Sequence, residues 1–145
     1  MKTCTFFGHR DCPDSIYPRL RREIISLIKN RNVKSFYVGN HGNFDNMVIK
    51  VFQELCPLYP GIKFYVVLSY IPTNKGQLNT FISEKSLIPD NIEAVPKKFA
   101  IVYRNKWLIQ HSDIVITYIT HPFGGASQFA ELAKRKNKEI INLAK

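Results

Sequence analysis

The sequence predicts an α/β protein, a mostly parallel sheet of about five strands covered by helices on both faces. Short apolar runs of strand length alternate with longer segments whose apolar residues recur at helical spacing. From Asp113 to Lys145 one such unit is complete: an apolar run Ile114-Val115-Ile116, a loop ending Pro122-Phe123-Gly124-Gly125-Ala126-Ser127, an amphipathic segment, and a second apolar run Ile140-Ile141-Asn142-Leu143. A strand, loop, helix and strand in that order make a right-handed crossover between parallel strands. Finally, five of the seven glycines fall in loops that would follow strands.

The elements follow in order. Cys4 to Phe7 reads as the first strand, and Leu20, Ile24, Leu27 and Ile28 give helical spacing after a cap at Asp14 or Ser15. Phe36 to Val38 is the second strand. Met47, Val51, Phe52 and Leu55 make the second helix, with Pro57 as its terminator, and Phe64 to Leu68 is a β-branched and aromatic third strand. Residues 69–95 contain Pro72, Gly76 and Pro89 and no sustained period, which predicts a long functional or mobile loop with one short helix. From Pro96 a helix is expected to carry Phe99, Tyr103, Leu108 and Ile109 inward and to end near His111, before a strand from Ile114 to Tyr118. The last helix, Ser127 to Lys136, would bury Phe129, Leu132 and Ala133.

At 145 residues the chain suits one domain, 1–145, with a real core. Its 45% hydrophobic and 22% charged residues are those of a globular protein, and no apolar run approaches the roughly 20 residues of a membrane span. The opening Met1-Lys2-Thr3-Cys4-Thr5-Phe6-Phe7-Gly8 lacks a signal peptide's apolar region, so a cytoplasmic protein is expected. Three cysteines, Cys4, Cys12 and Cys56, have no Cys-x-x-Cys spacing and read as reduced thiols. A net charge of +10 invites a nucleic-acid reading. The positives sit mostly in or at the ends of helices, as in Lys134-Arg135-Lys136-Lys138, where a solvated face explains them equally well.

Ligands of parallel α/β sheets sit beyond the carboxyl ends of the strands. Here those ends are Gly8-His9-Arg10-Asp11, Gly39-Asn40-His41-Gly42-Asn43-Phe44-Asp45, Ser69-Tyr70-Ile71-Pro72 and Thr120-His121-Pro122-Phe123-Gly124-Gly125-Ala126-Ser127. Gly124 and Gly125 enter a helix, so their bare backbone and the helix amino terminus suit a phosphate; a ligand-free tight turn is the alternative. Arg10 either faces the ligand or pairs with Asp11 or Asp14. Asp45 either caps its helix or meets a ribose hydroxyl. His9, His41 and His121, with Asp45, could meet around one pocket, but histidines this far apart are more simply polar loop residues, and neither a metal nor a cofactor is expected. His111 reads as a helix-end partner and Asp113 as support for the strand that follows. Tyr70, Tyr118 and Phe123 stand where an aromatic face could stack on a base, core packing being the alternative. Trp107 either packs its helix on the sheet or lines a contact between copies in a homo-oligomer.

Phe6-Phe7-Gly8-His9-Arg10 resembles the Thr-Gly-His-Arg opening of the small bacterial YoqJ-like proteins of the SLOG superfamily, the Rossmann-like group named after Smf/DprA and the LOG enzymes. Gly39-Asn40-His41-Gly42-Asn43-Phe44-Asp45 resembles that group's glycine-rich loop, with a Phe-Asp entering a helix. Tyr103-Arg104-Asn105 before Ser112-Asp113 resembles its Arg-Asn helix, and Gly124-Gly125-Ala126 its Gly-Gly-Thr loop. The resemblance spans nearly the whole chain and implies a Rossmann-like three-layer sandwich that binds nucleotides or related phosphorylated ligands. In some members an N-glycosidic bond is hydrolysed. For that chemistry the resemblance implies Arg104, but Phe129 stands where the LOG enzymes carry a glutamate, and Glu131 is the nearest acid.

The expectation is therefore a binding protein that senses or sequesters a nucleotide-derived phosphorylated small molecule. Its ligand set is Gly8, His9, Arg10, Gly39, Asn40, His41, Gly42, Phe44, Asp45, Arg104, His121, Gly124, Gly125, Ala126 and Ser127. The alternatives are a nucleoside monophosphate phosphoribohydrolase or related N-glycosidase using Arg104 and an acid that the motif does not identify, Glu131 being the first candidate, and a DNA-binding protein using its basic surface.

Overall fold

The computed structural model describes residues 2–72 and 79–145. Strands β1 (Lys2–Gly8), β2 (Val33–Val38), β3 (Lys63–Val67), β4 (Ser86–Leu87), β5 (Ile114–Tyr118) and β6 (Glu139–Asn142) form one sheet in the order β4-β3-β2-β1-β5-β6. Every neighbouring pair is parallel. The connecting helices are α1 (Tyr17–Asn30), α2 (Asn43–Leu58), α3 (Thr80–Lys85), α4 (Ala100–Gln110) and α5 (Gly125–Arg135). The result is a Rossmann-like α/β sandwich.

Alternation along the strands makes the three layers. In β1, Phe6 joins the core under α1 and α2 while Phe7 joins the core under α4 and α5; in β5, Ile114 and Ile116 face the first pair and Val115 the second. Leu20, Ile24 and Leu27 of α1 and Met47, Val51, Phe52 and Leu55 of α2 are buried on the first face. An aromatic column runs through that layer, with Phe36–Phe52 centroids 4.8 Å apart and Phe52–Phe64 4.3 Å apart. Such pairs contribute about 0.5–1.5 kcal/mol each beyond the area they bury.

Several expectations change in detail. The sheet has a sixth strand, β4, inside the 69–95 stretch, which also supplies the short helix α3; Gly76 and its neighbours, residues 73–78, lie outside the described residues. Pro57 does not terminate α2 but sits one residue before its end, and the Tyr59 N–H still reaches the Leu55 carbonyl at 2.9 Å. Neither Asp14 nor Ser15 caps α1. Both belong to a 3-10 turn, Asp14–Ile16, and Asp14 instead accepts from Asn43 Nδ2 at 2.8 Å, tying this turn to the start of α2. Another 3-10 turn, Lys97–Phe99, precedes α4 and rotates its start, so Phe99 is 52% exposed and Tyr103 turns its hydroxyl to the Asp90 carbonyl. Leu108 and Ile109 point inward as expected. No helix among the described residues is long and apolar enough to cross a membrane.

Candidate functional site

Strand order proceeds from β1 through β2 and β3 to β4 on one side, and from β5 to β6 on the other. The connections therefore leave in opposite directions from β1 and β5, and the crevice between their carboxyl ends is the topological switch point. A cavity of about 240 Å³ opens there, walled by the end of β1, the loop after β2, and the facing sides of α4 and α5.

Arg104 is its central charged group. The side chain is only 2% exposed, and three of its five N–H donors are engaged: Nη1 donates to the Val67 carbonyl (2.9 Å), Nε to Asn105 Oδ1 (2.7 Å), and Nη2 to His41 Nδ1 (3.2 Å). Because arginine can only donate, His41 Nδ1 accepts and the ring's proton sits on Nε2. Burial, then Arg104 and Arg10, hold the His41 imidazole below its ordinary pKa, so it is neutral near pH 7. Burial also lowers Arg104, against the pull of Asp45.

Asp45 is the one carboxylate among the described residues lining this cavity. Its Oδ2 accepts the His41 backbone N–H at 3.0 Å, so it fastens the glycine-rich loop rather than capping the helix amides. Burial pushes its carboxyl up to about 6, although the His41 N–H, Arg104 and Arg10 all pull it down. Two arginines, Arg10 and Arg104, face this one carboxyl across the cavity, which leaves a net positive, preorganised wall.

The glycines hold this arrangement at close quarters. A Cβ on Gly8 would lie 2.2 Å from the Phe44 ring, and one on Gly39 would lie 2.8 Å from the Arg104 guanidinium. Gly42, at φ 91°, presses against Arg10, whose carbonyl accepts the Asn43 N–H at 2.8 Å. Gly124, at φ 95°, turns the chain into α5, while a Cβ on Gly125 would meet nothing within 4 Å. The first turn of α5 is open to the cavity.

Of the residues expected in the site, Gly8, Arg10, Gly39, His41, Asp45, Arg104, Gly125 and Ala126 line this cavity together. Phe44 does not line it: its ring is fully buried in the core across Gly8. Gly42 and Gly124 shape the two loops from behind, and Asn40 turns its Nδ2 to the Tyr70 hydroxyl at 3.4 Å. His121 and Ser127 line a second cavity, of about 580 Å³, on the far side of α5, and Glu131 lies there too. The two catalytic candidates, Arg104 and Glu131, therefore stand in different cavities.

The three histidines do not meet around one pocket: His41 lines the first cavity, while His9 and His121 pair with each other. His9 is buried, its Nε2 accepts the Thr120 N–H at 3.0 Å, and its ring stacks on His121 at 3.8 Å, which closes the β1 loop onto the β5 loop across the switch point. Burial, then His121, lower the His9 pKa. Phe123 covers the other face of His121 at 4.0 Å and is itself 68% exposed. Trp107 packs edge-on to Tyr37 at 5.2 Å and stacks on His111, whose Nδ1 lies 2.9 Å from the Trp107 carbonyl near the end of α4. Asp113 supports its strand by accepting the Thr3 N–H at 3.0 Å. Cys12 is buried and its thiol is pushed up to about 11 by burial, the opposite of an activated nucleophile.

Sequence reasoning missed Gln128 in the first cavity, and gave no role to the Asn105 side chain that orients Arg104. It also missed Thr117 and Lys134 in the second cavity. For Gln128 and Lys134 helical spacing was a usable signal, because positions 125 and 128 share one side of α5, and 127, 131 and 134 another.

Fold and cavity together define a Rossmann-like α/β protein with an open crevice at its switch point. Among solved structures, the chain is similar to the X-ray structure of DNA processing protein A (DprA) from Streptococcus pneumoniae, with a TM-score of 0.70 at 17% identity. The match covers 97% of this chain and 49% of that one, so the chain spans about half the length of its structural neighbour. At that identity the likeness is one of fold. No protein-family model and no curated protein matches the chain.

Proposed function

We propose that the chain is a SLOG-type binding domain of the YoqJ-like branch, which senses or sequesters a nucleotide-derived phosphorylated small molecule. The observation that carries this reading is the juxtaposition of Arg104, fixed through three hydrogen bonds, with the open first turn of α5 across one cavity. Two donors of the guanidinium fork remain for a phosphoryl oxygen, and the Gly125 and Ala126 amides, which have no intrahelical acceptor, supply more. Gly39 lets the guanidinium pack directly against the backbone of this wall. The volume, about 240 Å³, is below that of most drug-sized pockets, so it suits a sugar phosphate with the base projecting along the exposed Ile101 and Val102.

A ligand that binds only the folded chain raises its melting temperature by mass action. Nucleoside phosphates, cyclic nucleotides and ADP-ribose derivatives are the compounds to screen by thermal shift. A saturable shift with one of them, lost in Gly125→Val while the free protein melts as before, supports the reading. No shift at millimolar concentration across the panel overturns it. Tight binding of single- or double-stranded DNA with a steep salt dependence, and none of the small molecules, would favour the basic surface instead.

A further inference from the structure

The second cavity has a built polar wall that the first reading does not use. Thr117 lies on the same sheet face as Val115, the face that carries α5, and is 1% exposed; its hydroxyl has no hydrogen-bond partner. His121 Nδ1 is likewise buried without a partner, its ring held between His9 and Phe123. Buried polar atoms are ordinarily paired, because leaving one unpaired forfeits its hydration. Two of them on one cavity wall mark a place for a ligand's own polar groups. Across from them α5 presents Ser127, Glu131 and Lys134. Among the described residues, neither Glu131 nor Lys134 takes part in an ion pair; the pairs present are Arg21–Glu54 and Arg31–Glu139.

We propose that this cavity is a second binding site, taking a small hydroxylated oxyanion of the sugar-phosphate class. The oxyanion is held by Lys134 and the Ser127 hydroxyl, and the ligand's hydroxyls complete Thr117, His121 Nδ1 and Glu131. A bare anion would satisfy Lys134 but would face Glu131 unfavourably, and an uncharged sugar would leave Lys134 unused. The site does not depend on what occupies the first cavity, since α5 separates the two.

The test is a titration of the full chain with ribose 5-phosphate, followed by amide NMR, with inorganic phosphate in parallel. Saturable shifts at Thr117, His121, Ser127 and Lys134 are expected with ribose 5-phosphate, and much weaker ones with phosphate alone. Thr117→Val removes a hydroxyl that pairs with nothing in the free protein, so its melting temperature should equal or exceed the wild type's. The same change, and Lys134→Ala, should each weaken ribose 5-phosphate roughly tenfold. Gly125→Val, in the first cavity, should leave these shifts in place. Absence of saturation at tens of millimolar, phosphate binding as well as ribose 5-phosphate, or unchanged affinity in Thr117→Val would each overturn the proposal. Shifts lost in Gly125→Val but kept in Thr117→Val would place the binding in the first cavity and overturn this site alone.

Discussion

Gly39 leaves the space that the Arg104 guanidinium fills, because a Cβ at position 39 would lie 2.8 Å from both Cζ and Nη1 of that side chain. The arginine is buried with backbone and side-chain partners on three sides, so it has little room to retreat. Gly39→Ala is therefore expected to destabilise the protein by about 1–3 kcal/mol, the usual cost of overpacking. Urea denaturation checks it, and a midpoint equal to the wild type's would show that the guanidinium shifts at no cost.

Arg104 itself gives a sharper test of what the cavity binds. Arg104→Ala should weaken ligand affinity, because a fixed guanidinium beside the cavity holds phosphate in the ground state. Arg104→Lys keeps the charge but cannot supply the fork that reaches the Val67 carbonyl, Asn105 and His41 together. Both variants should lose at least roughly tenfold in affinity by calorimetry. Wild-type affinity in Arg104→Lys would mean that charge, not geometry, is what the ligand reads.

Strand β5 was legible to the residue, Ile114 to Tyr118, because a continuous β-branched run is what a doubly covered parallel strand needs. The glycine-rich ends of β1, β2 and β5 were legible for the same reason that they work: only bare backbone admits Phe44 against Gly8 or Arg104 against Gly39. Strand β4 was not, since two residues carry no period. The inward face of α4 was misread at Phe99 because apolar spacing cannot foresee a 3-10 turn, nor can it foresee a buried charge such as Arg104, whose burial rests on partners distant in sequence. The division of the α5 loop between two cavities, with Ala126 in one and Ser127 in the other, depends on the helix's rotation about its axis.

Asp45 predicts a pH dependence of stability. Its carboxyl rises from an ordinary 3.8 to about 6 in the folded chain, chiefly through burial. Between those values the folded protein holds a proton that the unfolded chain has lost, so stability falls as pH rises from 3.8 to about 6 and this contribution is constant above. The fall is on the order of 3 kcal/mol. His9 and His41, both lowered by burial, act in the opposite sense near pH 6, but they are common to the wild type and to Asp45→Asn. The difference in unfolding free energy between the two proteins isolates Asp45, and a difference independent of pH would show that its carboxyl titrates normally.

The last prediction separates binding from turnover. Cleaving an N-glycosidic bond needs a carboxylate placed to stabilise the developing positive charge on the sugar, or an acid to protonate the departing base. Glu131 is across α5 from Arg104, and Phe129 contributes only an apolar ring to the first cavity. Asp45 is committed through one oxygen to the His41 N–H, leaving it one oxygen for such a role. Release of free base from a nucleoside monophosphate, followed by chromatography, should therefore be undetectable, or far below that of a true phosphoribohydrolase, with the wild-type protein. Base release abolished by Arg104→Ala and by Asp45→Asn would make the chain a hydrolase acting through the first cavity. Base release abolished by Glu131→Gln instead would bring a substrate to the second cavity.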